Sequence, residues 1–154
     1  MSIKPGAKVP DLRLPASGGR DVSLKDYKGK KLVVYFYPRD NTPGCTLEGQ
    51  EFTALYKDFV KAGADVVGVS KDSVKSHDNF CAKYGFPYVL LSDKEGALCE
   101  AFGAIVEKTL YGRKYMGIDR CTFLFDAKGV LRQDWRKVSA RGHAAAVLEA
   151  VKQL

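Results

Sequence analysis

Residues 31–37 read Lys-Leu-Val-Val-Tyr-Phe-Tyr and stop at Pro38. A β-branched and aromatic run without polar alternate positions suits a strand covered on both faces. The residues that follow extend this reading. Phe52, Leu55, Tyr56, Phe59 and Val60 recur at the spacing of an amphipathic helix, which Gly63 closes. Residues 65–70 (Asp-Val-Val-Gly-Val-Ser) form a second buried strand. A second helix is predicted over about 73–84, with Gly85 and Pro87 as stop signals, and a third short strand over 88–91. The order β-α-β-α-β belongs to a mainly parallel sheet.

Both ends of the chain read differently. Residues 11–14 and 21–24 make a small hairpin around a turn at 15–19. Residues 121–125 and 130–135 flank Ala127-Lys128-Gly129 as a second hairpin. Residues 142–154 form a closing helix with Ala145, Leu148 and Val151 toward the core. A βαβ half followed by a ββα half is the thioredoxin-like arrangement. The N-terminal hairpin adds to it, as does an insertion at residues 96–115 before the C-terminal half. Pro/Gly joints are short and no repeat is present, so residues 1–154 are expected to form a single α/β domain. No apolar run approaches the ~18–20 residues of a membrane span. Lys4 and Lys8 lead into Val9-Pro10-Asp11 instead of an apolar block. The expectation is a soluble, cytoplasmic domain that does not engage membranes.

The net charge of +7 sits in the last third. Residues 108–154 hold 10 Lys/Arg against 4 Asp/Glu, while residues 1–107 hold 15 against 14. The four cysteines, Cys45, Cys81, Cys99 and Cys121, are spaced by 36, 18 and 22 residues. Neither a disulfide framework, a zinc ligand set nor a C-x-x-C redox pair has those spacings. Each thiol stands on its own.

The stretch Pro38-Arg39-Asp40-Asn41-Thr42-Pro43-Gly44-Cys45 joins the first buried strand to the first long helix. Thr42 is a suitable N-cap, Pro43 falls at the first helical position, and Cys45 at the third. A sulfur placed there faces free backbone N–H groups in the positive end of the helix dipole, which favours the thiolate. A capping box has Glu or Gln at this position, and an ionised sulfur can play the same electrostatic part. Its neighbours Gly44 and Thr46 do not make an apolar packing site, so Cys45 reads as reactive. For Cys81 the residues leave two readings open. It shares a helical face with Phe80 and Tyr84, as a packed core thiol or as a working one. Cys99 and Cys121, each set among apolar neighbours, read as packing residues, as does Trp135.

The pattern P-x-x-x-T-x-x-C after a strand resembles the active-site signature of peroxiredoxins, with Pro38, Thr42 and Cys45 in the matching positions. Glu48 and Arg120, the latter within Gly117-Ile118-Asp119-Arg120-Cys121-Thr122-Phe123, extend the match. From Gly6 to Leu154 the chain is similar to the peroxiredoxin Q group, also called bacterioferritin comigratory proteins. The resemblance implies a thiol-dependent peroxidase acting on hydrogen peroxide and organic hydroperoxides. Cys45 would be the nucleophile that becomes a sulfenic acid. Thr42 would hydrogen-bond the thiolate or the peroxide oxygen, and Pro38 would shield the intermediate. Arg120 would hold the sulfur ionised and stabilise charge along the breaking O–O bond. Group members often carry the resolving cysteine five residues after the first, where this chain has Gln50. A second version places it in the next helix, which Cys81 matches. The implied Cys45–Cys81 disulfide would unwind the first turn of one helix and part of the other, over residues 42–50 and 76–86. Thioredoxin or a similar dithiol protein would recycle it, and the group resemblance implies a monomer. No metal, haem, flavin or other cofactor is implied. The rival readings are a one-Cys peroxidase resolved by an external thiol, and a non-catalytic redox sensor or chaperone.

His77 and His143 are far apart, without ligand spacing, and phosphate-binding glycine loops are absent. Arg113, Lys114, Arg132, Arg136, Lys137 and Arg141 lack a nucleic-acid-binding motif. They read as a solvated face that an acidic dithiol partner would feel, so no nucleic-acid partner is expected.

Overall fold

The computed structural model describes residues 3–154. A seven-stranded sheet is built from β1 (Arg13–Ala16), β2 (Arg20–Ser23), β3 (Lys31–Phe36), β4 (Ala64–Ser70), β5 (Leu90–Ser92), β8 (Cys121–Phe125) and β9 (Leu131–Trp135). The remaining two strands, β6 (Ile105–Leu110) and β7 (Arg113–Ile118), pair only with each other as an antiparallel ribbon. The helices are α1 (Pro43–Lys61), α2 (Val74–Tyr84), α3 (Ala97–Phe102) and α4 (His143–Lys152). Strand order is β2-β1-β5-β4-β3-β8-β9. β3 pairs β4, and β4 pairs β5, in parallel, whereas β8 runs antiparallel to β3 and β9 to β8. The βαβ and ββα halves therefore meet at the β3–β8 ladder.

Alternate side chains of β3 enter two separate cores. Leu32, Val34 and Phe36 join one with Leu98, Cys99 and Phe102 of α3 and with Cys121 and Phe123 of β8. Val33, Tyr35 and Tyr37 join the other with residues of α1, α2 and α4. Both faces of the run are thus buried, as its composition requires. The aromatic rings contribute beyond simple area. Tyr35 stacks on Phe52 at 4.6 Å between centroids, a contact of about 0.5–1.5 kcal/mol. Their polar tips are satisfied too. Tyr88 Oη donates to the Gly49 carbonyl at 3.0 Å, which leaves its lone pair to accept from Tyr35 Oη at 2.8 Å.

Several sequence expectations shift. The third strand is β5, which starts at Leu90 instead of residue 88. In α4 the buried stripe is Ala144, Val147, Leu148 and Val151; Ala145 is exposed, because the helix begins at His143 with that ring turned inward. In α1 Val60 is exposed, while the first turns bury Cys45, Glu48 and Gly49 ahead of the apolar stripe. The insertion consists of α3 and the β6–β7 ribbon. That ribbon shows Leu110, Tyr111, Tyr115 and Met116 to solvent. Among the described residues no helix is long and apolar enough to cross a membrane.

Candidate active site

Cys45 is placed by the end of β3 and the start of α1. Pro43 is the first residue of the helix and Thr42 its N-cap, with extended backbone (φ −92°, ψ 157°). The Thr42 side chain makes no cap bond; its Oγ1 donates to the Arg39 carbonyl at 2.9 Å, tightening the loop instead. The first helical hydrogen bond runs from the Thr46 amide to the Thr42 carbonyl, which puts Cys45 inside the first turn. A cleft of about 350 Å³, lined by Thr42, Pro43, Thr46, Leu47, Gln50 and Tyr84 among others, adjoins this turn.

The structure brings Arg120 to the sulfur from 75 residues away. Its Nη2 lies 3.4 Å from Cys45 Sγ, and its Nη1 lies 2.6 Å from Glu48 Oε1. One planar guanidinium thus serves two acceptors one helical turn apart, a division for which its fixed fork is suited. Gly44 makes room for it: a Cβ there would stand 3.1 Å from Arg120 Nη2. Burial is the main influence on Glu48 and pushes its carboxyl up to about 7, with Arg120 pulling the other way. Its second oxygen, Oε2, is buried without a hydrogen-bond partner. Next to this pair, Thr122 Oγ1 and His143 Nε2 are 2.8 Å apart. Burial, then the charge of Arg120, pushes His143 down to about 4, so the ring is neutral at neutral pH.

The cysteines divide as their neighbours suggest. All four are free. Cys81 is half-buried on α2. Burial above all pushes its thiol up, and Asp40 and Asp78 add to this while Ser17 opposes it. Cys99 and Cys121 lie fully within the other core, their thiols pushed higher still by burial. Trp135 packs at its strand end, edge-on to His143.

Sequence reasoning missed a buried polar group beside the site. His77, set aside for want of a metal partner, is fully buried with Nδ1 2.7 Å from Asp40 Oδ2. The one signal for it was an Asp and a His each standing a few residues before a candidate cysteine, on segments that only the fold brings together. No group of His, Cys, Asp or Glu that could hold a metal is present among the described residues. Several basic residues of the last third are paired with nearby carboxylates. Arg132 pairs with Asp126 and Arg136 with Asp134, and Arg136 also donates to the Phe102 and Gly103 carbonyls.

Residues 5–134 match the AhpC/TSA family. The chain is 56% identical over 142 residues to peroxiredoxin Bcp of Xanthomonas campestris pv. campestris, covering 92% of this chain and 89% of that protein. Peroxiredoxin Bcp of Bacillus subtilis is 45% identical over 154 residues, covering 100% and 98%. A solved structure of the Xanthomonas campestris bacterioferritin comigratory protein, from work on its alkyl peroxide reduction activity, superposes with a TM-score of 0.91 at 51% identity, over 97% of this chain and 98% of that one. A mutant of Xylella fastidiosa PrxQ gives a TM-score of 0.94 at 44% identity, over 99% and 98%.

Proposed function

Because the chain belongs to the AhpC/TSA family and has the thioredoxin-like fold of its Bcp and Q peroxiredoxins, we propose that this thiol peroxidase works through Cys45, with Cys81 as its resolving thiol. The observation that carries the reading is the Arg120 fork, which sets a permanent cation against the Cys45 sulfur in the first turn of α1.

The chemistry balances with a hydroperoxide as oxidant. The Cys45 thiolate attacks the terminal peroxide oxygen, the O–O bond breaks, and the departing alkoxide or hydroxide takes a proton to leave as alcohol or water. The sulfur, oxidised by two electrons, is left as a sulfenic acid. Arg120 stabilises the charge that spreads along the breaking bond. Thr42 holds the loop through Arg39 and turns its hydroxyl toward bound peroxide during turnover, and Pro38 screens the sulfenic acid. The Cys81 sulfur then attacks Cys45, the S–O bond breaks, water leaves, and an intramolecular disulfide remains. Thioredoxin or a similar dithiol protein returns two electrons and two protons. The reading is of one domain over residues 1–154, monomeric and cytoplasmic, with no cofactor.

The experiment is a disulfide map of the protein after one equivalent of peroxide, by mass spectrometry under non-reducing conditions. The reading expects a Cys45–Cys81 bond that a dithiol protein reduces, with steady peroxide consumption. A stable Cys45 sulfenic acid with all other thiols free would point to the one-Cys alternative. Oxidation that stops after one turnover despite reductant would point to a sensor.

A further inference from the structure

The loop between β3 and Cys45 grips α2, the helix that carries Cys81, at two places. The first grip is buried. Asp40 accepts from Tyr37 Oη at 2.6 Å and from Ser76 Oγ at 2.7 Å, and its Oδ2 lies 2.7 Å from His77 Nδ1. The other ring nitrogen of His77 lies 2.8 Å from the Leu91 carbonyl, which can only accept, so Nε2 carries a hydrogen. Asp40 and Nδ1 then share a proton in a contact shielded from water. The loop side of this grip is itself tied down. The Asp40 amide donates to Asp72 Oδ2 at 2.8 Å, and that same oxygen accepts from Ser70 Oγ at 2.6 Å, at the end of β4.

The second grip is on the surface. Asn41 adopts a left-handed backbone (φ 60°) and directs its Oδ1 to Tyr84 Oη at 3.1 Å and Lys83 Nζ at 3.3 Å. Cys81 lies between the two grips, four residues after His77 and three before Tyr84. Two consecutive residues of the peroxidatic loop therefore span the resolving cysteine on its own helix.

We propose that Asp40 and Asn41 form a clasp whose opening sets how quickly α2 releases Cys81 to the Cys45 sulfenic acid. They are positioning residues for resolution, and the inference rests on Cys81 being the resolving thiol. Two reactions compete for the sulfenic acid. In one, Cys81 sulfur forms the S–S bond, the S–O bond breaks, and the oxygen leaves as water with the thiol and sulfenic protons. In the other, a second hydroperoxide gives its terminal oxygen to the sulfur, the O–O bond breaks, alcohol leaves, and a sulfinic acid results. A closed clasp slows only the first. It therefore governs the share of turnovers that end in the sulfinic acid.

Three variants leave the apolar packing alone. Asn41→Gly removes the surface grip at a position whose left-handed backbone glycine adopts freely. Tyr84→Phe removes only a hydroxyl, since the ring packs on Phe80 and Phe86. Ser76→Ala removes one hydrogen bond from the buried grip. After a single peroxide pulse, rapid quench and mass spectrometry follow sulfenic acid, disulfide and sulfinic acid together. Each variant is expected to speed disulfide formation about three- to tenfold, the worth of an ordinary hydrogen bond, and to lower the sulfinic fraction accordingly. The double variant Asn41→Gly/Tyr84→Phe should match Asn41→Gly alone, because both changes remove one contact. A disulfide rate unchanged within about twofold in Asn41→Gly and Ser76→Ala, or a sulfinic fraction that does not fall as that rate rises, would overturn the clasp. Absence of the Cys45–Cys81 bond in the wild-type protein would instead overturn the assignment of Cys81.

Discussion

Arg120 and Glu48, 72 residues apart in the chain, meet at 2.6 Å in an ion pair in which Glu48 is wholly excluded from water and Arg120 is partly buried. The same guanidinium touches the Cys45 sulfur. The carboxylate therefore fixes the cation, and the cation is aimed by it.

Removing that cation should be felt at the sulfur. Arg120→Ala is expected to lower the second-order rate of Cys45 oxidation at least tenfold, measured by stopped-flow with hydrogen peroxide. Arg120→Lys should also be slower than wild type, because one ammonium cannot reach both acceptors. Rates equal to wild type in both variants would remove Arg120 from the chemistry.

Glu48 ties the pair to pH. Its carboxyl is raised in the folded protein from an ordinary 4.5 to about 7. Its contribution to stability is thus complete below pH 4.5 and is lost as pH rises through about 7, a change of roughly 3 kcal/mol. His143 acts in the opposite sense. Its pKa falls from 6.5 to about 4, so its contribution is present above pH 6.5 and lost as pH falls through 4. Glu48→Gln should therefore gain stability relative to wild type at pH 8 compared with pH 5. Urea unfolding at the two pH values checks this, and equal pH differences in both proteins would contradict it.

Two glycines on α1 should fail in different ways when replaced by alanine. At Gly44 the added Cβ meets the tip of Arg120, a flexible group that can move aside. Gly44→Ala is expected to slow Cys45 oxidation several-fold with little loss of stability. At Gly49 the Cβ would run into the Phe86 ring, which is itself packed against Phe80 and Tyr88. Gly49→Ala should cost about 1–3 kcal/mol in urea unfolding. If Gly44→Ala unfolds more readily than Gly49→Ala, this division is wrong.

The cysteines provide a direct series. Cys45→Ser should lose peroxidase activity. Cys81→Ser should still react once with peroxide but accumulate sulfenic or sulfinic acid. Cys99→Ser and Cys121→Ser should keep turnover with a dithiol reductant. A recycling block in Cys121→Ser would move the resolving role to that residue.

Much of this architecture is legible in the chain because burial leaves a pattern. The run through Tyr35 shows that both faces of β3 are covered, and Ser73 and Gly85 bracket α2 where its hydrogen bonds begin and end. Thr42, Pro43 and Cys45 mark a helix start by local rules alone. The β6–β7 ribbon escaped because only its Ile105–Ile118 end packs against the core and the rest is largely exposed, so its strands carry no apolar alternation. The reading of Ala145 as a core residue failed by one position, since alanine is equally at home on either side of a helix. Asp40 and His77 were missed as a pair for another reason. An Asp and a His 37 residues apart have no periodicity, and only the packing of α2 against the loop makes them one group.

The placement of the four thiols has a further consequence. Cys45 and Cys81 pack on one side of the seven-stranded sheet, and Cys99 and Cys121 on the other. With Cys45 and Cys81 as the proposed working pair, the sheet is in effect an insulating wall between the two thiols that would exchange electrons and the two that would not. While the sheet is intact, the proposed opening of α2 would not offer Cys45 or Cys81 a wrong partner. Fidelity of that proposed pairing would then be a property of the layer order, not of the cysteines themselves.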